Sequence, residues 1–197
     1  LSSTVEYGGR SMNDTGYVTL TDTTRDELRG RIGRVRERFD RLIRTADPDA
    51  RVPGLEWTVH QVVAHMLSVA HRYQAIIEGR DFRRAEHPRD LDLINHAELE
   101  AVMAPTLRLA DQLEALAPIM DAFFDDTTND QRVYKFHCGE MFSGVTAQTN
   151  WLGELQLHGR DIARAVKAPW KIDDRDMLLV LRGCMEVGPG YLRADIS

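Results

Sequence analysis

The sequence predicts an all-α protein folded as an antiparallel helical bundle. Apolar residues recur every three or four positions in about five segments of bundle length, which is the pattern of amphipathic helices. The connections between these segments are mostly of modest size, and neither an internal repeat nor a low-complexity tract interrupts them. With 197 residues, the chain is long enough for one domain to bury a core without disulfide bonds.

The first helix is predicted to begin after Thr23 or Thr24, either of which can cap its amino end. It is expected to end near Asp47-Pro48. Its apolar stripe has spacings of three and four and consists of Leu28, Ile32, Val35, Phe39 and Leu42. The opposite face is interpreted as solvated helix surface and carries Arg25, Arg29 and Arg36.

The second helix is predicted over residues 57–79, with Thr58 as its cap. A third helical stretch is predicted over residues 93–124. Pro105 lies inside this stretch and is expected to kink or split it. The polar residues 125–130 are expected to form a loop.

A short extended segment is predicted at residues 131–143, and Ser143 is expected to begin a long helix that reaches about Val166. The last helix is predicted to open behind Asp173-Asp174. Its predicted apolar face consists of Met177, Leu178, Val180, Leu181 and Met185.

The predicted domain organisation has three parts. Residues 1–20 are rich in Ser, Thr, Gly and Asn without an apolar period, and are interpreted as a flexible lead-in. The bundle is placed at residues 21–190, and residues 191–197 are interpreted as a tail.

Composition excludes several classes of protein. Asp and Glu number 31 against 25 Lys and Arg, and the formal charge of −6 argues against nucleic-acid partners. No apolar run approaches the roughly 20 residues that span a bilayer, so no membrane partner is expected. Two cysteines are too few for a disulfide framework and no secretory leader is recognisable, so we expect a cytoplasmic protein.

Two of the predicted helices carry residues suited to binding a cation. Glu154 and His158 are four residues apart and therefore lie on one helix face. Asp161, three residues beyond His158, is placed to orient that imidazole without binding the cation itself. His65 on the second helix supplies a third ligand, because two helices of a bundle can face one another. A set of two histidines and one glutamate is typical of a catalytic divalent-metal site.

The helical period separates His65 from the other histidines of its helix. At about 100° per residue, His65 lies within about 60° of the apolar stripe, whereas His60 and His71 fall more than about 100° away. Residue pattern alone equally allows His65 to be a core histidine and the Glu154–His158 pair to be a surface contact.

Two segments resemble a known family. Residues 57–66, Trp-Thr-Val-His-Gln-Val-Val-Ala-His-Met, resemble the "W-[ST]-V-x-[DQ]-[LV]-V-A-H-[LM]" segment of the maleylpyruvate isomerase N-terminal family of mycothiol-dependent enzymes, within the DinB-like superfamily. Residues 154–173 contain Glu-Leu-Gln-Leu-His-Gly-Arg-Asp-Ile-Ala-Arg-Ala and then Pro-Trp. They are similar to the family's second signature, "E-x-x-x-H-G-x-D-[IL]-A-x-A". The resemblance extends over roughly residues 21–190.

This resemblance implies a DinB-like antiparallel four-helix bundle with an additional C-terminal helix. It also implies a divalent metal, usually zinc with nickel or iron as alternatives, held by His65, Glu154 and His158, with Asp161 supporting them. In the family, the metal activates a low-molecular-weight thiol such as mycothiol, which attacks an electrophilic small molecule. The expected partners are therefore a thiol and an electrophile, and whether the chain forms a homodimer is left open.

The predicted function is thus a metal-dependent thiol transferase or isomerase. The alternative is a non-enzymatic metal- or ligand-binding regulatory bundle, because no substrate-binding motif is recognisable.

The remaining candidates receive structural interpretations. His137-Cys138 is interpreted as a loop pair without a role, with a pocket mouth or a metal site as the alternatives. Cys184 is interpreted as a small core residue on the last helix. Arg72 and Arg80 are interpreted as solvated surface, with binding of substrate carboxylates as the alternative. Two further residues are interpreted as packing residues near helix starts, Trp57 and Trp151.

Overall fold

The structure, a computed structural model, describes residues 5–7, 10–12, 23–127 and 132–195. Within the predicted lead-in, β1 (Val5–Tyr7) pairs antiparallel with β2 (Arg10–Met12). The rest of residues 1–20 lies outside the described residues.

The first helix, α1 (Arg25–Thr45), begins where the sequence predicts. The Thr24 hydroxyl accepts a hydrogen bond from the Glu27 backbone N–H (3.1 Å) and so caps the helix. The predicted stripe is buried, except that Ile43 rather than Leu42 is its last buried residue.

The second helix, α2 (Val59–Ile77), is also confirmed. Thr58 and Gln61 form a reciprocal capping box at its amino end. The helix packs against three others and is buried around most of its circumference. It therefore forms the centre of the molecule.

Pro105 splits the third predicted stretch, as expected. The two pieces are α3 (Leu91–Ala101), preceded by a short 3-10 turn, and α4 (Thr106–Thr127). The helix α4 includes the first residues of the predicted loop, and residues 128–131 lie outside the described part of the chain.

The predicted extended segment is a small hairpin. Strand β3 (Val133–Lys135) pairs antiparallel with β4 (Met141–Ser143), with Tyr134 opposite Phe142. A 3-10 turn at His137–Gly139 joins the two strands.

Two of the three candidate ligands lie on the next helix, and the last helix packs against it. Ser143 caps α5 (Gly144–Ala165) by accepting a hydrogen bond from the Thr146 N–H, as predicted. After a connection that contains Trp170, α6 (Asp174–Asp195) begins, so the predicted tail lies largely within a helix.

The predicted fold class is confirmed. Helices α1, α2, α4 and α5 pack together as the four-helix bundle, α3 packs on α2, and α6 is the additional C-terminal helix, packed on α5. Among the described residues, no helix has the length and hydropathy needed to cross a membrane.

The predicted buried face of α6 is wrong. Four of its five residues are exposed by 38–60%, namely Met177, Leu178, Leu181 and Met185. Of the predicted face only Val180 is buried, and Leu179, which was not predicted, is buried beside it. Gly153 on α5 lets Val180 pack closely against that helix. Cys184, interpreted from the sequence as a core residue, is exposed for the same reason.

Candidate metal centre

His65 points into the bundle from the first half of α2. Its side chain is 6% exposed, whereas His60 and His71 on the same helix are half-buried. His60 is occupied elsewhere, since its Nε2 lies 2.7 Å from the Ala104 carbonyl oxygen. The direction of His65 predicted from the helical period is therefore confirmed.

Glu154 and His158 lie on successive turns of α5 and face His65. Glu154 Oε2 lies 3.9 Å from His65 Nε2 and 3.3 Å from His158 Nε2. The two imidazole rings meet edge to face, with their centroids 5.1 Å apart. In the part of the chain that the structure describes, these residues form the one group of possible metal ligands whose ligand atoms all lie within 4.8 Å of one another.

The spacing of these atoms suits a small divalent cation. Ligands about 2.1 Å from a tetrahedral zinc ion lie roughly 3.4 Å from one another, and the two distances to the Glu154 carboxylate bracket that value. The side chains of Glu154 and His158 are 25% and 18% exposed, so the cluster is accessible from solvent on the α5 side. A zinc ion held by three protein ligands would keep a fourth position for water or an exogenous sulfur.

The hydrogen bonding of the cluster is incomplete. The Nδ1 atoms of His65 and His158 are buried and have no hydrogen-bond partner among the described residues. Asp161 Oδ2 lies 3.6 Å from His158 Nδ1, which is slightly beyond hydrogen-bonding distance. A shift of a few tenths of an ångström would let Asp161 orient that ring, and this role for Asp161 stays a prediction.

Burial and charge separate the pKa values of the two histidines. Burial lowers the pKa of His65 to about 4, so this imidazole is neutral at pH 7. Burial also lowers the pKa of His158, but the carboxylates of Asp161 and Glu154 outweigh burial and raise it to about 9. Burial raises the pKa of Glu154, but His158 and then His65 bring it below its ordinary value. Without a metal, the cluster thus holds a neutral imidazole and an imidazolium–carboxylate pair.

Two tryptophans pack against the candidate ligands or the residue next to them. The Trp57 ring lies 5.1 Å from the His65 ring. The Trp170 ring packs on Gly159, the residue after His158, so closely that a Cβ at position 159 would lie 2.1 Å from Trp170 Cζ2. The sequence analysis missed this role of Trp170, although the Gly and the Pro-Trp of the second signature were its signal.

The interpretation of Arg72 as solvated surface is wrong. Its side chain is 7% exposed, and it donates hydrogen bonds to Glu98 (2.7 Å) and Asn95 (2.6 Å) on α3. Its charge also contributes to the low pKa of His65. The sequence did contain a signal for this position: Arg72 is seven residues after His65, so the two residues lie on the same face of α2. Arg80, by contrast, is exposed and pairs with Glu78.

His137 lies outside the group of possible ligands, and it holds a neighbouring segment in place. It is 1% exposed, and its Nδ1 accepts a hydrogen bond from the Ala85 N–H (3.0 Å). The Cys138 N–H donates to the Ala85 carbonyl (2.7 Å). The interpretation of this pair as a loop without a role is therefore wrong, because it fixes the segment that follows α2. Trp151 is buried in the core, so its interpretation as a packing residue is confirmed.

Comparisons with known proteins agree with this architecture. The family model described as "Mycothiol maleylpyruvate isomerase N-terminal domain" matches residues 32–163. Among solved structures, the crystal structure of the mycothiol-dependent maleylpyruvate isomerase is similar, with a TM-score of 0.64 and 15% sequence identity. That match covers 85% of this chain and 70% of the other. No curated protein sequence gives a significant match.

Proposed function

The chain belongs to the mycothiol maleylpyruvate isomerase N-terminal domain family, and on that premise we propose that it is a metal-dependent thiol transferase or isomerase. In this proposal His65, Glu154 and His158 hold a divalent metal, and a low-molecular-weight thiol of the mycothiol type attacks an electrophilic small molecule. The observation that carries the proposal is the convergence of these three side chains from two helices.

The donor set favours zinc, because two imidazoles and one carboxylate are common zinc ligands. Nickel and iron are the alternatives, since metal identity depends on supply as well as on ligand type. When bound, the metal would supply Lewis acidity that favours the thiolate form of a coordinated sulfur.

The three protein ligands have distinct tasks. His65 is neutral at pH 7 because of its low pKa, so its Nε2 lone pair is ready to bind. His158 has to release a proton at the same pH, and Asp161 beside its Nδ1 then fixes the ring. Glu154 supplies the one negative charge of the set, which partly compensates the charge of the cation.

The first experiment measures metal content. Protein purified without a metal-affinity tag should contain close to one divalent metal per chain, and a His158→Ala variant should lose it. His96→Ala is the matched control, because His96 is exposed on α3. Full retention of metal by the His158→Ala variant would contradict the site.

The second experiment separates the enzyme from the regulatory bundle. The metal-loaded protein is mixed with mycothiol and a panel of electrophiles, and the loss of free thiol is followed with time. Metal-dependent turnover supports the enzyme. Stoichiometric metal binding without turnover of any electrophile would favour the non-enzymatic metal- or ligand-binding bundle.

A further inference from the structure

A cavity of about 140 Å³ lies in the bundle between α1 and α4. It shares no residue with the metal centre. Its inner wall is apolar and is formed mainly by Phe39, Ile43, Met66, Met120, Trp151 and Leu155. It is therefore a second concave site in the molecule, built from a different set of helix faces.

Two arginines on α1 form ion pairs with α4, one on each side of Ala117. Arg36 donates two hydrogen bonds to Asp121 (2.7 and 2.8 Å), and Arg44 donates one to Glu114 (3.0 Å). Ala117 lies between these two positions on α4 and lines the cavity. The ion pairs span the gap between the helices, and the small Ala117 side chain does not fill it.

The size of the cavity is unusual for a protein interior. Cores are packed as densely as organic crystals and contain few voids larger than a water molecule. An apolar cavity of about 150 Å³ stays dry and admits a benzene-sized molecule. The cavity between α1 and α4 has nearly that volume and an apolar inner wall, and it opens to solvent at a charged rim.

The rim of the cavity determines which charge can enter. Four charged residues line it: Arg36, Glu37, Asp40 and Glu114. Asp121 engages Arg36, and Arg44 engages both Asp40 and Glu114. Glu37 is exposed and makes no ion pair with any described residue. Two guanidiniums, Arg36 and Arg44, therefore face a larger number of carboxylates at this rim, because Arg44 alone is shared by Asp40, Asp111 and Glu114. This excess of negative charge repels anions and attracts cations.

We propose that this cavity binds an apolar group the size of one aromatic ring, on a molecule that is neutral or positively charged. The apolar wall contributes the affinity, because a ring that enters loses its contact with water. The rim contributes the selectivity, because an anion would have to lie beside Glu37.

Three probes with the same ring and different charges test the proposal: toluene, benzylamine and benzoate. Toluene and benzylamine at millimolar concentration should raise the Tm by a few degrees, and benzoate should leave it unchanged. An Ala117→Leu variant should lose the response, because its side chain fills the space. Ala115→Leu is the matched control on the exposed face of α4 and should keep it.

A measurement on the unaltered protein guards against an Ala117→Leu variant that fails to fold. With 13C-methyl methionine, toluene should shift the NMR signals of Met66 and Met120 and leave that of the exposed Met185 in place. Equal responses to all three probes, a response that survives in Ala117→Leu, or unshifted Met66 and Met120 signals would each overturn the proposal.

Discussion

The candidate metal centre and the ion-pair network that joins α1 to α6 are both built mainly from ionisable side chains, and both include residues of α5. The network consists of Glu27, Arg31, Gln156, Arg175 and Asp176. Asp176 is 4% exposed and accepts hydrogen bonds from Arg31 and Gln156, both at 2.6 Å. Glu27 accepts two from Arg175 (2.8 and 2.9 Å) and one from Arg31 (3.2 Å).

The two regions differ in how completely their polar atoms are paired. None of the five network residues contributes to the buried side-chain atoms that lack a partner among the described residues, whereas both histidines of the metal centre do. In the network, oppositely charged groups face one another, so its fully buried polar atoms are paired within the protein. The candidate metal centre has possible ligand atoms directed at one another, and the Nδ1 atoms of its two histidines have no hydrogen-bond partner among the described residues. This difference is consistent with a structural role for the network and with the binding role proposed for the candidate metal centre.

Of the changes that test this comparison, metal removal should have the largest effect on the stability of the protein. A chelator should lower the Tm at pH 7.5. If the free metal concentration before chelation is a thousand times the Kd, the bound metal stabilises the fold by about 4 kcal/mol, and its removal should lower the Tm by roughly 10 °C. The effect should shrink below about pH 5, because protons compete with the metal for the ligands. Differential scanning calorimetry with and without the chelator measures it.

The three ligands should act as one unit in this experiment. His65→Ala should melt like the chelated protein and respond no further, while His96→Ala should show the full effect. A chelator effect that persists in His65→Ala would place the metal elsewhere.

Loss of one member of the network should have the next largest effect. Asp176→Ala leaves Arg31 and Gln156 without their shared acceptor, which should reduce the free energy of unfolding by about 3 kcal/mol. Urea denaturation measures the change. Asp174→Ala, at an exposed position on the same helix, should cost less than about 0.5 kcal/mol.

A substitution in the candidate metal centre should affect metal binding more than the stability of the metal-free protein. Glu154→Gln should abolish metal binding, but it should destabilise the metal-free protein less than Asp176→Ala does, because a glutamine can still hydrogen-bond to His158 and Asp161 still faces that ring. Equal destabilisation by Asp176→Ala and Glu154→Gln in metal-free protein would remove the distinction between the two regions.

Gly159 and Trp170 connect the two regions. A substitution that breaks their contact should reduce the stability by an intermediate amount. The Arg38 guanidinium stacks over the Trp170 ring at 3.7 Å and donates to Gln156 of the network (3.0 Å). Gly159→Ala should displace Trp170 and cost about 2 kcal/mol. It should also weaken metal binding, because His158 is the preceding residue.

The matched control for this substitution is Gly33→Ala. A Cβ at position 33 in α1 would meet nothing within 4 Å, so this variant should be stabilised by about 0.5–1 kcal/mol. Unfolding free energies and zinc titrations of both variants measure the two effects. If Gly159→Ala were as stable as Gly33→Ala, Trp170 would not be held by its contact with α5.

The sequence was informative wherever the determining interaction is local. Thr24, Thr58 and Ser143 cap helices through residues three positions away, and the Glu154–His158 spacing is a property of one helix. The inward direction of His65 follows from the period of α2 alone. These features could be predicted because they depend on the backbone geometry of a single element.

The sequence was misleading where contacts between elements decide. Residues 178–181 of α6 are all apolar, so periodicity could not choose the face that Gly153 selects. The face of α1 that was predicted to be solvated forms ion pairs with α4: Arg36 pairs with Asp121, and Arg29 pairs with Asp125. These partners are far apart in sequence, and no local pattern links them.

Acid should produce the smallest effect, and it tests the network alone. The hydrogen bonds from Arg175, opposed by burial, hold the pKa of Glu27 at about 2, below its ordinary value of 4.5. The stabilisation by this carboxylate is therefore fully present above about pH 4.5 and is lost as the pH falls through about 2. Glu27→Gln lacks the titrating group, so its stability should fall less steeply between these pH values, by roughly 1 kcal/mol over the interval because the pair is partly screened by solvent. Asp26→Asn, in the same helical turn but 87% exposed, should retain the slope of the unaltered protein. Identical slopes for the two variants in urea titrations at stepped pH would show that Glu27 is not paired as tightly as its contacts imply.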